Sequence, residues 1–276
     1  MQSRLQDFSK LCIHTMTNKP WTLRQCVENY TAAGVSGISV WRNVLEGQRP
    51  EEIRLILDDS PLEVVSLVRG GFFASSDKNL RQKAIDDNMQ AIEEAGTVGA
   101  PLLVLVCGAD SRQSPEKSKE QILKGIIKIL PNAMAAGVKL AIEPLHPMYS
   151  ADRSAVNTLA MANRMAEKIN SPYVGVAVDI YHLWWDETLQ SEIKRCGENG
   201  NLLAFHVCDW NVPTVDFLND RGLMGEGCIN IPLIRSWVEE AGFTGFNEVE
   251  IFSDKFWTTD QNDYLEKIKN AYLKFT

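Results

Sequence analysis

The sequence predicts an α/β protein, a single-domain (β/α)8 TIM barrel running over residues 1–276. Three observations lead there. Short apolar runs rich in β-branched residues alternate with longer stretches of helical period, the order expected of parallel strands joined by crossover helices. Eight such pairs follow one another, the number that closes a barrel. No Gly-rich phosphate fingerprint follows the first strand, where a doubly wound open sheet would carry one.

In chain order, the strand KLCIH (10–14) precedes a helix at 22–33, and SGISVW (36–41) precedes one at 50–58. EVVSLVR (63–69) leads to a helix at 78–98, and PLLVLVC (101–107) to one at 115–136. VKLAIE (138–143) is followed by a helix at 153–169, and YVGVAVD (173–179) by one at 187–199. LLAFHVC (202–208) and FNEVEI (246–251) complete the set, with helices at 231–241 and 260–274. No low-complexity linker divides the chain.

Composition narrows the function classes. The 45 % hydrophobic content supplies a sizeable core, and 23 % charged residues is ordinary for a globular protein. The net charge of −8, without a run of five Lys or Arg, argues against nucleic acid as a partner. Six scattered cysteines with no CxxC pair suit a reducing compartment and argue against a four-cysteine zinc site. The segment MQSRLQDFSKLCIHT has neither a long apolar core nor a small-residue cleavage site, and no apolar run spans a membrane. The expectation is a cytoplasmic protein with no membrane partner.

In such a barrel, chemistry belongs to the C-terminal ends of the strands and the loops beyond them. The chain has only four histidines, His14, His146, His182 and His206, and each falls at or just past a strand end. Residues two apart on a strand share a face. Glu143 therefore shares its face with Ala141, Asp179 with Ala177 and Gly175, His206 with Ala204, and Glu250 with Glu248 and Phe246. The opposite faces carry Leu140 and Ile142, Val176 and Val178, Leu203 and Phe205, then Val249 and Ile251, suited to packing under helices. Converging carboxylates repel one another, and a cation resolves that conflict. Three carboxylates with one imidazole suit a divalent ion, with Mn2+ the first choice and Co2+, Mg2+ or Zn2+ the alternatives. Glu248 lies one step deeper than Glu250 and needs a partner, for which Lys139 is the inward candidate. The alternative is that Glu248 is itself the ligand.

At these positions the motifs AIEPLHP, VDIYHLWWD, FHVCDW, RGLMGEGCINIP and GFNEVEIFS resemble those of the xylose-isomerase-like sugar phosphate isomerase/epimerase superfamily. The resemblance extends from TNKPWTL to the last strand. It implies Glu143, Asp179, His206 and Glu250 as metal ligands, His182 in contact with substrate oxygens, and Arg221 on the substrate. SLVRGGFF, with Arg69, and CIHTMT, with His14, match segments that line the mouth in relatives. Several relatives have asparagine where this chain has His14.

Isomerisation and epimerisation of sugars begin with removal of a proton beside a carbonyl, and a metal stabilises the enediolate that develops. In epimerases of this superfamily two metal-bound glutamates act from opposite faces, which makes Glu143 and Glu250 the catalytic candidates. His146 is a further candidate base or acid, or else hydrogen-bonds a loop carbonyl. Trp41, Trp184, Trp185, Trp210 and Trp257 fall at or after strand ends, where an indole can stack on a sugar or simply pack. Arg42, Arg69, Arg153 and Arg221 lie near the rim and could hold a phosphate or carboxylate. The reading is a metal-dependent isomerase or epimerase of a small sugar or keto-sugar. The alternative is a lyase on the same scaffold, of the inosose dehydratase or keto-glycoside-cleaving kind. An abasic-site endonuclease would need more histidines and a basic surface. A binding protein would gain nothing from an idle set of carboxylates. A homodimer is the mild quaternary expectation.

Overall fold

The computed structural model describes residues 5–276, so the first residues of the segment searched for a leader lie outside it. Eight parallel strands form a closed ring: β1 (Leu11–His14), β2 (Gly37–Trp41), β3 (Glu63–Gly71), β4 (Leu102–Val106), β5 (Lys139–Glu143), β6 (Val174–Asp179), β7 (Leu202–Val207) and β8 (Asn247–Val249). Each pairs with its neighbours in sequence, and β8 returns to β1 through Leu11–Asn247, Cys12–Glu248 and Ile13–Val249. The predicted TIM barrel is the fold.

The outer ring contains α1 (Leu23–Ala32), α2 (Pro50–Asp58), α3 (Lys78–Val98), α4 (Pro115–Ala136), α5 (Leu159–Ile169), α6 (Leu189–Glu198), α7 (Ile231–Glu240) and α8 (Gln261–Phe275). Local chemistry sets their ends. Thr22 and Gln25 form a reciprocal capping box at the start of α1. Proline occupies the first turn of α2 and α4, where its missing N–H costs nothing. Gly99 and Gly137 close α3 and α4 in the left-handed conformation. One boundary differs from expectation: α5 begins at 159, not 153. Thr158 accepts from Met161 N as its cap, and Asn157 Nδ2 donates to the carbonyls of Leu145 and Ser154, holding the preceding residues as a loop.

The main core lies between the strands and the helices, where the outward faces of β5 and β6 pack (Leu140, Ile142, Val176 and Val178) together with Phe205. A thinner core fills the barrel itself, built from Val68, Leu102, Val104, Ala141, Ala177 and Ala204. The alternation predicted for Glu143, Asp179 and His206 over small inward residues therefore holds. Leu203 is the exception, since it packs inward against this inner layer instead of under a helix. The β6–β7 register shifts between Val176 and Ala177, and that bulge reverses the facing of Leu203. Gly175 makes room for it, because a Cβ there would stand 2.6 Å from Leu203 Cγ. No helix among the described residues is long and apolar enough to cross a membrane.

Candidate metal centre

The four predicted ligands meet at the C-terminal mouth. Glu143 ends β5 and Asp179 ends β6, His206 lies in β7 directly opposite Asp179, and Glu250 follows β8. One donor atom from each lies within 4.8 Å of the others, and all four residues are buried. His206 Nδ1 is 3.1 Å from Glu143 Oε1, yet neither atom has a hydrogen-bond partner. With the imidazole neutral, both atoms turn lone pairs toward each other in a buried place, which a cation between them would relieve. Three carboxylates face a single arginine here: Arg221 Nη1 donates to Glu250 Oε2 at 2.8 Å and to Asp179 Oδ2 at 3.3 Å. The donor set and its orphaned atoms fit a divalent cation of the Mn2+, Co2+, Mg2+ or Zn2+ class.

Electrostatics follow the crowding. Burial drives Asp179 up to about 7, against the pull of Arg221. Burial alone would lower His206, but the charge of Glu248 and then its neighbour Glu143 outweigh it and hold the imidazole at about 10. Burial would likewise raise Glu250, and His14 with Arg221 reverse this and keep it well below the ordinary carboxylate range. His182 is pushed well down by burial and by Arg221.

Glu248 is the residue whose surroundings differ most from expectation. Lys139 is exposed and forms no ion pair with it. Instead Ser39 Oγ and Ser66 Oγ donate to Glu248 Oε2 at 2.6 and 3.2 Å, while His14 Nε2 and His206 Nε2 stand 3.3 and 3.7 Å away. The correction is topological. β1, β2 and β3 bring His14, Ser39 and Ser66 into register on the inward side, whereas Lys139 opens β5 at the far end of the barrel. His14, His206 and Glu248 form a second buried group, with donor atoms also within 4.8 Å of one another.

A cavity of about 240 Å³ opens over Glu143 and Glu250, below the roughly 300–1,000 Å³ usual for drug-sized ligands. Its walls include Trp41, Arg69, His182 and Arg221, four of the five predicted substrate contacts. His14, the fifth, is fully buried beneath, with Nδ1 3.1 Å from Glu250 Oε1 and accepting from Trp41 Nε1. His146 does not line the cavity. It packs between Trp185 and Trp210, and its Nδ1 accepts from Met148 N, capping the short turn Pro147–Tyr149. Trp184, Trp185, Trp210 and Trp257 also lie outside the lining; Trp210 stacks on Tyr181 and Trp257 donates to the carbonyl of Met16. Tyr149 and Leu218 are wall residues that strand-end reasoning passed over because loops carry them in from a distance, and Phe252, just past Glu250, is a third. Tyr149 and Tyr181 both donate to the carbonyl of Phe217, which ties the loop after β7 over the mouth. A larger groove of about 690 Å³ between α1 and α2 has no comparable convergence of ligand-type groups.

Known proteins share this architecture. Inosose isomerase of Halalkalibacterium halodurans is 23 % identical over 96 % of this chain and 95 % of its own. The crystal structure of a Sinorhizobium meliloti 1021 protein superposes with a TM-score of 0.93 at 41 % identity, covering 96 % of this chain and 98 % of that one. The structure of an IOLI protein with a bound zinc atom gives a TM-score of 0.83 at 20 % identity, over 95 % of this chain and 96 % of that one. A family model described as "Xylose isomerase-like TIM barrel" matches residues 27–273, and the chain belongs to that family.

Proposed function

We propose that this chain is a divalent-metal-dependent isomerase or epimerase of a small sugar or keto-sugar, its whole length serving as one catalytic barrel. The observation that carries the reading is the convergence of Glu143, Asp179, His206 and Glu250 beneath a small cavity. These four would hold the ion, with Mn2+ the first choice. When bound, such an ion supplies Lewis-acid polarisation of a carbonyl. Curated relatives named as inosose isomerases support a polyhydroxy ketone or related sugar as substrate.

The side chains do the rest. Arg221 and His182 line the cavity and would orient substrate oxygens, while Trp41 offers an apolar wall. Glu143 and Glu250 approach the cavity from different strands, so each can face a different side of a bound carbon. One carboxylate takes the proton beside the carbonyl, and the C–H electron pair moves toward the carbonyl oxygen. Return of the proton to the neighbouring carbon, the former carbonyl carbon, gives isomerisation, and return to the opposite face of the same carbon gives epimerisation. His14 and Arg221 keep Glu250 ionised. His146, outside the cavity wall, contributes to holding the loop. The lyase alternative needs an acid aimed at a leaving group, and neither His146 nor the deeply buried His14 lines the cavity.

The test is elemental analysis of protein purified without chelator, then NMR of keto-sugars in D2O after reloading with Mn2+, Co2+, Mg2+ or Zn2+. We expect about one ion per chain, deuterium entering beside the carbonyl, and loss of both with Glu250→Gln. A reloaded protein that holds no ion, or exchanges no proton on any ketose, would sink the reading.

A further inference from the structure

Four arginines surround the mouth, and two are already committed. Arg42 Nε lies 2.6 Å from Glu94 Oε2 and its Nη1 is 2.9 Å from Asp87 Oδ2, so helix α3 holds it aside. Arg221 is bound to Asp179 and Glu250. Among the described residues, Arg69 and Arg153 form no ion pair with a carboxylate, although both line the cavity beside Glu143, Glu250 and His182. Their guanidinium groups rest instead over aromatic faces, Phe72 at 4.4 Å and Tyr149 at 5.4 Å.

Both are held in place by backbone. Arg69 sits at a register shift in β3, where Val68 pairs with Val104 and Gly70 with Leu105, so Arg69 itself is skipped. Asn88 of α3 then clamps the strand, accepting from Gly71 N at 2.7 Å and donating to the Gly71 carbonyl at 2.8 Å. Arg153 donates its N–H to the Tyr149 carbonyl and accepts from Gly108 N at 2.8 Å.

We propose that Arg69 and Arg153 form an anion subsite beside the carboxylate–imidazole cluster, which selects substrates bearing a carboxylate or phosphate group. Charge balance supports it. Asp179 and Glu250 already share Arg221, and no carboxylate among the described residues lies within ion-pair distance of Arg69 or Arg153. Two partly buried like charges facing one cavity are unfavourable, and an anion bridging them recovers that energy. Burial, followed by the charge of Arg153, already makes Arg69 a poorer cation than a free guanidinium. The subsite deepens the isomerase reading by naming its substrate class, but the anion site does not depend on the reaction.

The experiment is calorimetric titration of the metal-loaded protein with inorganic phosphate and, separately, with acetate. It is repeated on Arg69→Met, Arg153→Gln and Arg69→Lys. The expected result is one anion per chain, with the tighter of the two probes naming the charged group. Arg69→Met and Arg153→Gln should bind roughly tenfold to a hundredfold more weakly, with Arg69→Lys between them and wild type. The two positions lie on different elements, so a folding failure at one leaves the other informative. If wild type binds neither anion, or the folded variants bind as tightly as wild type, the subsite is overturned. Metal content measured on the same samples separates the two readings: an empty protein that still takes phosphate loses the isomerase proposal and keeps this one.

Discussion

Glu248 shows how much a single inward carboxylate can organise. It is buried and pairs with no lysine or arginine among the described residues, and two serine hydroxyls and two imidazoles surround it. His14 and His206 meet edge to face with ring centroids 4.7 Å apart, so Glu248 underpins both rings at once. A ligand imidazole whose far nitrogen faces a carboxylate is held in one orientation and made more basic. Glu248→Gln keeps the volume and removes the charge. It should weaken Mn2+ or Zn2+ binding roughly tenfold to a hundredfold, measured by competition with a chelating dye, whereas Lys139→Met should leave affinity unchanged. Equal affinities for Glu248→Gln and wild type would reduce Glu248 to packing. Nothing in the sequence singled out the two serines, because their convergence on Glu248 depends on a register shift between Ile38 and Ser39 that no periodicity announces.

Among elements, the strands and helices were legible because their periods differ, and all eight of each stand within a few residues of expectation except the start of α5. The ligand face was legible for the same reason: Glu143, Asp179 and His206 alternate with outward Val, Leu, Ile and Phe along β5, β6 and β7. The bulges were not, and they decide what reaches the mouth. Leu203 turns inward across one, and Arg69 is delivered to the cavity by another. Arg42 looked equivalent to Arg69 in sequence, but its partners Asp87 and Glu94 come from α3 and appear only on folding. The β3 irregularity depends on Gly71, whose φ is +109° and where a Cβ would lie 1.9 Å from the Val106 carbonyl oxygen. Gly71→Ala combines a disfavoured backbone region with a clash against backbone that cannot step aside. A loss of roughly 1–3 kcal/mol or more is expected in urea unfolding. A variant as stable as wild type would mean that β3 reaches its bulge without the glycine.

At the scale of the whole molecule, the barrel gathers Glu143, Asp179, Glu250 and Glu248 into one buried end, with Arg221, among the described residues, the one arginine paired with them. The fold thus tolerates a charge cluster that opposes its own stability, and a bound cation should return that energy. Ligation to the folded chain alone stabilises by about 2.7 kcal/mol at a metal concentration a hundred times Kd. For a chain of this size that corresponds to a rise in melting temperature of roughly 5–10 °C. Melting curves with EDTA and with saturating Mn2+ or Zn2+ read this directly. The sign of the pH dependence follows from Asp179. Its pKa is raised to about 7, so below that value the carboxyl keeps its proton and competes with the ion, and above it the ligand is free. The metal-dependent gain should therefore shrink as the pH falls through 7, and because His206 is held at about 10 it should keep growing above pH 8. An identical melting temperature with EDTA and with metal at pH 8 would mean that the cluster binds no ion and is neutralised by its own protons and Arg221.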